Sequence, residues 1–376
     1  MSIDVQSSER SPRLERLLSF LAQDPQNENL RADAAGLALD ERQFELASEL
    51  LEDIGSSSLL LNLKGVAALG AERFDQAAAA FEQLRAGGKD NPAIRFNLAW
   101  AKAMLGDFAE AEALLDDEAI AASPRGPTLK VEALHHLDRY DEGLEQGKRL
   151  AELYPDDQPL LGALATLAMD AGDAALTRDY ALRAGDTPEG LAARGMLMLE
   201  DGDPADALDL FDRAIDRKPM SARAWIGRGL GLLSQERSSE AAEALEKGAQ
   251  LFEDHLGSWI AAGWAYFTQQ DYGKARSCFE RARDLDANFA ESHGGLAVLD
   301  ILEGQLESAA RQCEIALRLD RMCLGGALAK SMLLEHEGKP AAAQRVRELT
   351  LSSPVGPDGK TIGAALAHFA GTKRKR

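Results

Sequence analysis

The strongest constraint on this chain of 376 residues is an internal period. When PEGLAARGMLMLEDGDPADALDLFDRAIDRKP, starting at Pro188, is set above ARAWIGRGLGLLSQERSSEAAEALEKGAQLFE, starting at Ala222, small and large residues fall into register at a step of 34. Leu256, Ala290 and Leu324 keep that step without a gap, so five successive units share one template. A fixed period of this size means that each unit cannot bury its apolar face alone and must stack on its neighbours. In the template a small residue (Gly195, Gly229, Gly263, Ala297, Ser331) is followed twelve residues later by an alanine (Ala207, Ala241, Ala275, Ala309, Ala343). Each unit reads as two amphipathic helices joined by a polar turn such as EDGDP, TQQDY or LEGQL. Small residues at those places let the two helices approach, where a leucine would push them apart.

The units also carry a specific set of residues. WIAAGWAYFTQQDYGKARSCFERARDLDA places Trp259, Gly263, Tyr266, Ala275, Phe279 and Ala282, and GDPADALDLFDRAIDRKP places Ala207, Phe211, Ala214 and Pro219. In these residues the chain resembles the tetratricopeptide repeat family, departing from its pattern at Ala287, where the family has proline. The resemblance implies an all-α fold, a solenoid of helical hairpins wound as a right-handed superhelix. Upstream, GVAALGAERFDQAAAAFEQL places Gly65, Ala77 and Phe81, and NLAWAKAMLGDFAEAEALL places Asn97, Leu98, Ala99 and Ala111. Units then start near Glu28, Ser58, Pro92, Pro124, Gln158 and Pro188, with steps of 30, 34, 32, 34 and 30. The short steps imply trimmed turns or helix ends, as at EDIGSSS and RAGDTPE; Gly143 and Thr177 stand where alanine is expected.

About ten units thus cover residues 28–357, less regular over 28–187 and regular over 188–357. The array needs covered ends. Leu14, Leu17, Leu18 and Leu21 predict an amphipathic capping helix over 12–23, within an N-terminal segment 1–27. Ile362, Leu366 and Phe369 predict a short capping helix within a C-terminal segment 358–376 that ends in the basic tail Lys373-Arg374-Lys375-Arg376. Residues 1–10 and 371–376 are expected to be disordered.

Lys and Arg number 42 against 62 Asp and Glu, a net charge of −20. Such a surface repels phosphate backbones, so nucleic acid is not the expected partner, and the basic tail reads as a solvated end. The three cysteines, Cys278, Cys313 and Cys323, are odd in number and lack metal-ligand spacing, which points to reduced thiols. The first residues hold no apolar stretch of signal-peptide type, and no run approaches the ~18 apolar residues of a membrane span, so a cytoplasmic protein is expected.

Chemistry-bearing motifs are few. PVGPDGKT ends in Gly359-Lys360-Thr361 like a phosphate-binding loop, but Pro354 stands where the loop needs a glycine. Pro357-Asp358-Gly359 therefore reads as a turn. His135 and His136 are adjacent, which on a helix aims them ~100° apart and unsuits them for joint chelation. The other histidines, His255, His293, His336 and His368, fall in different units, and Cys313 takes the bulky position of its second helix as a small buried hydrophobe. No catalytic constellation, metal site or cofactor motif emerges, and a non-enzymatic function is expected.

In the family, the first helix of each unit lines an inner, concave surface. The resemblance assigns to it Phe96, Trp100 and Met104; Met196 and Leu199; Ile226, Leu230 and Leu233; Ile260, Trp264 and Phe267; and Val298, Ile301 and Leu302. Leu59, Val66, Leu69, Leu328 and Met332 extend the strip, while Trp259 and Tyr266 turn toward neighbouring helices. Lys, Arg and Asn are scarce along it, which disfavours a charged peptide tail. An apolar strip of this length calls for an occupant. The expected one is an apolar or amphipathic helical segment of a partner protein, with basic flanks to suit an acidic rim. In the competing reading the array buries these side chains itself. Homo-oligomerisation through the groove or an array end, or a role as the regulatory subunit of an enzyme complex, are the functional alternatives.

Overall fold

A computed structural model describes residues 10–52, 57–252, 255–352, 354–355 and 360–361. Among the described residues are 22 helices and one pair of two-residue strands, divided between two compact units, Met1–Asp173 and Ala174–Arg376.

The first unit opens with α1 (Pro12–Gln23), the expected N-terminal cap. Its Leu14 and Leu21 are buried, and Leu17 and Leu18 pack on a cluster of Ala34, Ala35, Ala38, Ala47 and Leu51. Hairpins follow: α2 (Glu28–Asp40) with α3 (Phe44–Leu50), α4 (Ser58–Gly70) with α5 (Phe74–Ala86), and α6 (Pro92–Met104) with α7 (Phe108–Leu114). An additional short helix, α8 (Asp117–Ala121), precedes α9 (Gly126–His136), α10 (Tyr140–Leu153) and α11 (Gln158–Asp170). The second unit starts at α12 (Ala174–Arg183). It continues with the pairs α13 (Pro188–Asp201) and α14 (Pro204–Arg217), α15 (Ala222–Ser234) and α16 (Ser238–Phe252), α17 (Leu256–Thr268) and α18 (Tyr272–Leu285), α19 (Ala290–Leu302) and α20 (Leu306–Leu319), and α21 (Leu324–His336) and α22 (Pro340–Leu351). The two 30-residue steps have a common cause, since α3 has 7 residues and α12 has 10 where the regular second helices have 12 to 15.

Local chemistry sets both ends of the first helices. Asn27, Ser57, Asn91, Asp157 and Thr187 accept the backbone N–H of Leu30, Leu60, Ile94, Leu160 and Gly190, a cap worth ~1 kcal/mol each. At the other end one residue takes the left-handed conformation after every first helix: Arg42, Glu72, Gly106, Asp138, Gly172, Gly202, Glu236, Gln270, Gly304 and Gly338. The following N–H then reaches back over the last turn, as from Asp107 to Lys102 O at 2.9 Å and from Gln305 to Asp300 O at 2.8 Å. These ten residues each lie fourteen positions after a unit start read from the period, which makes the hairpin turn the best-kept feature of the repeat.

Glycine makes room for the core rings. Phe211 lies against Gly195 and Gly227, and Phe279 against Gly263 and Gly295; a methyl at Gly195 or Gly295 would stand 2.7 Å from the ring. The small residues of the template thus admit a phenylalanine of the second helix and, through it, the next first helix. In the first unit Gly143 and Gly147 of α10 receive Leu167 and Leu164 of α11, which accounts for glycine where alanine was expected.

The C-terminal region departs from a purely helical reading. After α22, β1 (Pro354–Val355) pairs antiparallel with β2 (Lys360–Thr361), Pro354 opposite Thr361. The turn expected at Pro357-Asp358-Gly359, the capping helix expected from Ile362, Leu366 and Phe369, and the basic tail lie outside the described residues.

Candidate partner-binding face

Five first helices of the second unit carry the candidate strip. Met196 and Leu199 of α13 pack, half-buried, on a cluster around Phe211. Ile226, Leu230 and Leu233 of α15 pack with Trp264 and Phe267 of α17 on the core that holds Leu245, Tyr266, Phe279 and Leu299. The same Trp264 and Phe267 also pack, with Ile301 of α19 and Met332 of α21, on a second cluster of Ala297, Val298, Cys313 and Ala329. The two rings therefore join what α15 presents to what α19 and α21 present.

Their geometry is fixed. Trp264 meets Phe267 edge-on with ring centroids 5.3 Å apart, and meets the buried Phe279 at 5.2 Å. Tyr272 adds a third neighbour, 5.7 Å from Phe267. Edge-to-face contacts of this kind hold rings in place beyond their area of contact. Trp264 and Phe267 remain half-open, and Leu302 and Leu328 are exposed. Trp259 is half-buried on the core side, and Tyr266 is buried with its hydroxyl donating to Glu246.

Four residues assigned to the strip are buried instead: Val298, Ile260, Phe96 and, in its extension, Leu69. Val298 is fully enclosed because α19 and α21 approach through glycine: a Cβ on Gly294 would lie 2.5 Å from the backbone nitrogen of Gly326. Ile260, 8% exposed, belongs to the core of α15–α18. In the first unit Phe96, 4% exposed, sits on α6, which packs against α4, α5, α7, α8 and α9, more neighbours than a regular first helix has. Trp100 is half-buried, its ring 6.3 Å from that of Phe96 and covered by the Arg125 guanidinium at 4.4 Å, while Met104 is exposed. Of these first-unit residues only Met104 is exposed and Trp100 half-buried.

Buried charge went unseen in the sequence. Lys130, 6% exposed, donates to the Glu112 carboxylate at 2.5 Å and to its carbonyl at 3.2 Å, and Arg139 donates to the same carboxylate at 3.1 Å. Burial pushes the Glu112 carboxyl up, but the bonds from Lys130 and Arg139 outweigh it and hold the group below its ordinary range. In the second unit buried Asp300 accepts from Arg276 at 2.8 Å and from Ser308 at 2.6 Å. For Asp300 the available signal was a carboxylate where the neighbouring units have Leu232, Tyr266 and Leu334; Lys130 carried none, since its register position also holds Lys64, Arg194, Arg228 and Lys330.

The remaining chemistry is structural. His135 pairs with Asp170 at 2.8 Å while His136 stacks on Phe108 at 4.0 Å, so the two rings serve different partners. The three cysteines are free and buried, and burial pushes the Cys278 thiol up to about 12. Among the described residues no group of three or more His, Cys, Asp or Glu is placed to hold a metal ion, and no helix is long and apolar enough to cross a membrane.

Stacked hairpins with ring-into-glycine packing define an α-solenoid scaffold of the protein-interaction class. The chain carries tetratricopeptide repeats: profiles of that description match residues 62–127, 192–254 and 257–289. The tetratricopeptide repeat-containing protein trd-1 of Caenorhabditis elegans is 27% identical over 124 residues, a match covering 33% of this chain and only 16% of that protein. Among solved structures, a human IFIT1 dimer with PPP-AAAA is 16% identical with a TM-score of 0.53, covering 90% of this chain and 93% of IFIT1. The APC/C hetero-tetramer Cut9–Hcn1 gives 14% identity and a TM-score of 0.55, covering 90% of this chain and 77% of its counterpart. At these identities the likeness concerns the fold.

Proposed function

We propose that the second unit binds a partner protein through the first-helix face formed by Met196, Leu199, Ile226, Leu230, Leu233, Trp264, Phe267, Ile301 and Leu302, and that the occupant is an apolar or amphipathic helical segment. The observation that carries this reading is that Trp264 and Phe267 pack on both neighbouring clusters while staying half-open, so one apolar face runs across several helices. Helix-in-groove recognition uses anchors of this kind, with rigid aromatic rings as its usual hot spots. A net charge of −20 favours basic residues flanking the segment's apolar stripe. The role is that of a non-enzymatic scaffold or chaperone, and buried reduced thiols suit the cytoplasm.

PPP-AAAA appears with IFIT1, and Hcn1 with Cut9 in a hetero-tetramer. An apolar face on an acidic chain fits the second kind of partner, because RNA binding draws on cationic and hydrogen-bonding contacts. The test is a Leu302→Glu variant, chosen because Leu302 is exposed and its loss costs the core little. A partner recovered with the intact chain and then purified should bind this variant at least ~10-fold more weakly, a loss of ~1.4 kcal/mol, with helicity unchanged. Equal binding by both chains moves the site off this face. A size measurement on the isolated chain separates hetero-binding from self-association.

A further inference from the structure

The partner-binding face is not equally open along its helices. On α13 Ala192 is buried and Leu199 half-buried, on α17 Ile260 is buried and Phe267 half-open, and on α19 Val298 is enclosed while Leu302 is 46% exposed. Between them α15 is half-open along its length, at Ile226, Leu230 and Leu233. At α19 the cause is the backbone contact of Gly294 with Gly325 and Gly326, which closes the start of the helix and leaves its end uncovered. The open part of the strip therefore lies beside the hairpin turns rather than beside the linkers that join one hairpin to the next.

The two edges also differ in charge. The turns at 200–206, 234–240, 268–274, 302–308 and 336–342 hold ten Asp and Glu against three Lys and Arg, whereas the linkers half a period away, at 183–189, 217–223, 251–257, 285–291 and 319–325, hold seven against five. Some turn carboxylates are matched within the fold, as Asp201 is by Arg178 and Glu303 by Arg276. Glu200, Asp203, Asp206 and Glu307 are exposed and form no ion pair among the described residues. On the linker side Glu189 is held by Lys218, and Glu291 is used to cap α21, accepting the N–H of Leu324 and of Gly325.

Resting on the partner-binding reading of this face, we propose that its occupant is an amphipathic helix whose Lys and Arg form a single row on one side of its apolar stripe, the side that meets the hairpin turns. A segment lying across α13, α15, α17 and α19 crosses three helix spacings of ~9 Å each, which is ~27 Å or ~18 helical residues. One of its sides then faces the turns and the other faces the linkers. A basic row on the turn side meets uncompensated carboxylates, and the same row on the linker side meets a nearly balanced edge. Because a one-sided row can face the turns in only one of the two directions along the strip, the charge pattern also fixes which end of the segment lies at α13.

The test uses two synthetic helical peptides of ~18 residues that share one leucine stripe, carry lysines on its left side or on its right side, and bear a benzophenone at the N-terminus. With the full chain the two should photolabel opposite ends of the strip, one α13–α14 and the other α19–α20. Labelling of the same end by both, or no binding of either at ~100 μM, overturns the proposal. A chain carrying Glu200→Gln, Asp203→Asn, Asp206→Asn and Glu307→Gln should bind both peptides at least ~5-fold more weakly at low salt, with the difference shrinking at about 0.5 M salt. Unchanged binding by that chain overturns the basic row, and if Leu302→Glu still abolishes binding the face itself stands. Indifference to Leu302→Glu as well removes the face together with the row.

Discussion

The two units build the same hairpin and hold it together by different means. In the second, a phenylalanine ring pressed between glycines recurs at Phe211 and Phe279, and the steps stay at 34. In the first, Phe81 lies against Gly65 and Phe44 against Gly70, each ring against a single glycine, and charge is added around α6 to α10. Lys102 joins Glu82 and Glu110, both at 2.6 Å; Arg95 gathers Asp90, Asp116 and Glu118; and buried Lys130 shares Glu112 with Arg139. Ring packing requires a constant hairpin geometry, because a ring fits only one spacing. Long charged side chains reach across variable gaps and so tolerate steps of 30 and 32 residues. Ion pairs also occur in the regular unit, as at Arg276 with Asp300 and Glu303, so the difference lies in the rings pressed between two glycines rather than in the charges.

The largest expected effect tests the ring. Phe279→Ala should destabilise the second unit by ~3–5 kcal/mol, since it empties a site that surrounding glycines cannot refill. Thermal or denaturant unfolding measures this, and a loss below ~1 kcal/mol would mean that the hairpins collapse onto the space. In the first unit Lys130→Met should cost ~2 kcal/mol, because Glu112 keeps Arg139 while losing its buried partner. Adding Glu112→Leu should recover part of that loss, as buried ion pairs often tolerate apolar replacement. No recovery would mean that the pair's contribution exceeds that of the packing that replaces it.

Acid should separate the units next. Glu112 has its pKa depressed in the folded chain, so its contribution is present above the unfolded value of ~4.3 and is lost as the pH falls through the lower folded value. Glu240 and Glu337 in the second unit are depressed too, but by exposed partners whose pairing contributes little, and Asp186 is depressed by the half-buried Arg194 and Arg213. Between neutral pH and about pH 3.5, amide protection around α7, α9 and α10 should therefore fall more than in α17–α20. Glu112→Gln should flatten this dependence, and equal loss in both units would place the acid sensitivity elsewhere.

How much of this was legible in the sequence depended on the range of the interaction. The period, the glycine and alanine positions and the trimmed steps at EDIGSSS and RAGDTPE are local, and they anticipated α2 to α22 apart from α8. Helix α8 depends on Asp116 capping Ala119 in a stretch with no place in the repeat template. The burial of Val298 depends on Gly294 meeting Gly325 and Gly326, 31 and 32 residues away, and pairwise closeness of that kind leaves no mark on a helix's own pattern. Phe96 is buried too, on a helix that packs against α4, α5, α8 and α9 outside its own hairpin. Trp264 and Phe267 are half-buried on the first-helix face, whereas Phe96 on the equivalent face of α6 is enclosed, so the helix pattern alone did not separate the two outcomes.

The smallest expected effect concerns what the units share. Every first helix ends in a left-handed residue, and five of the ten are not glycine: Arg42, Glu72, Asp138, Glu236 and Gln270. A side chain in that conformation costs ~1 kcal/mol, part of which glycine returns through the greater freedom of the unfolded chain. Glu72→Gly in the first unit and Gln270→Gly in the second should therefore each stabilise by up to ~0.5 kcal/mol, and Gly202→Ala should destabilise by ~1 kcal/mol. Denaturant midpoints at a common m-value resolve changes of this size. If both glycine variants gain alike, the turn is indifferent to whether rings or charges hold the hairpin behind it. A gain confined to the second unit would mean that Glu72 is held by more than its backbone.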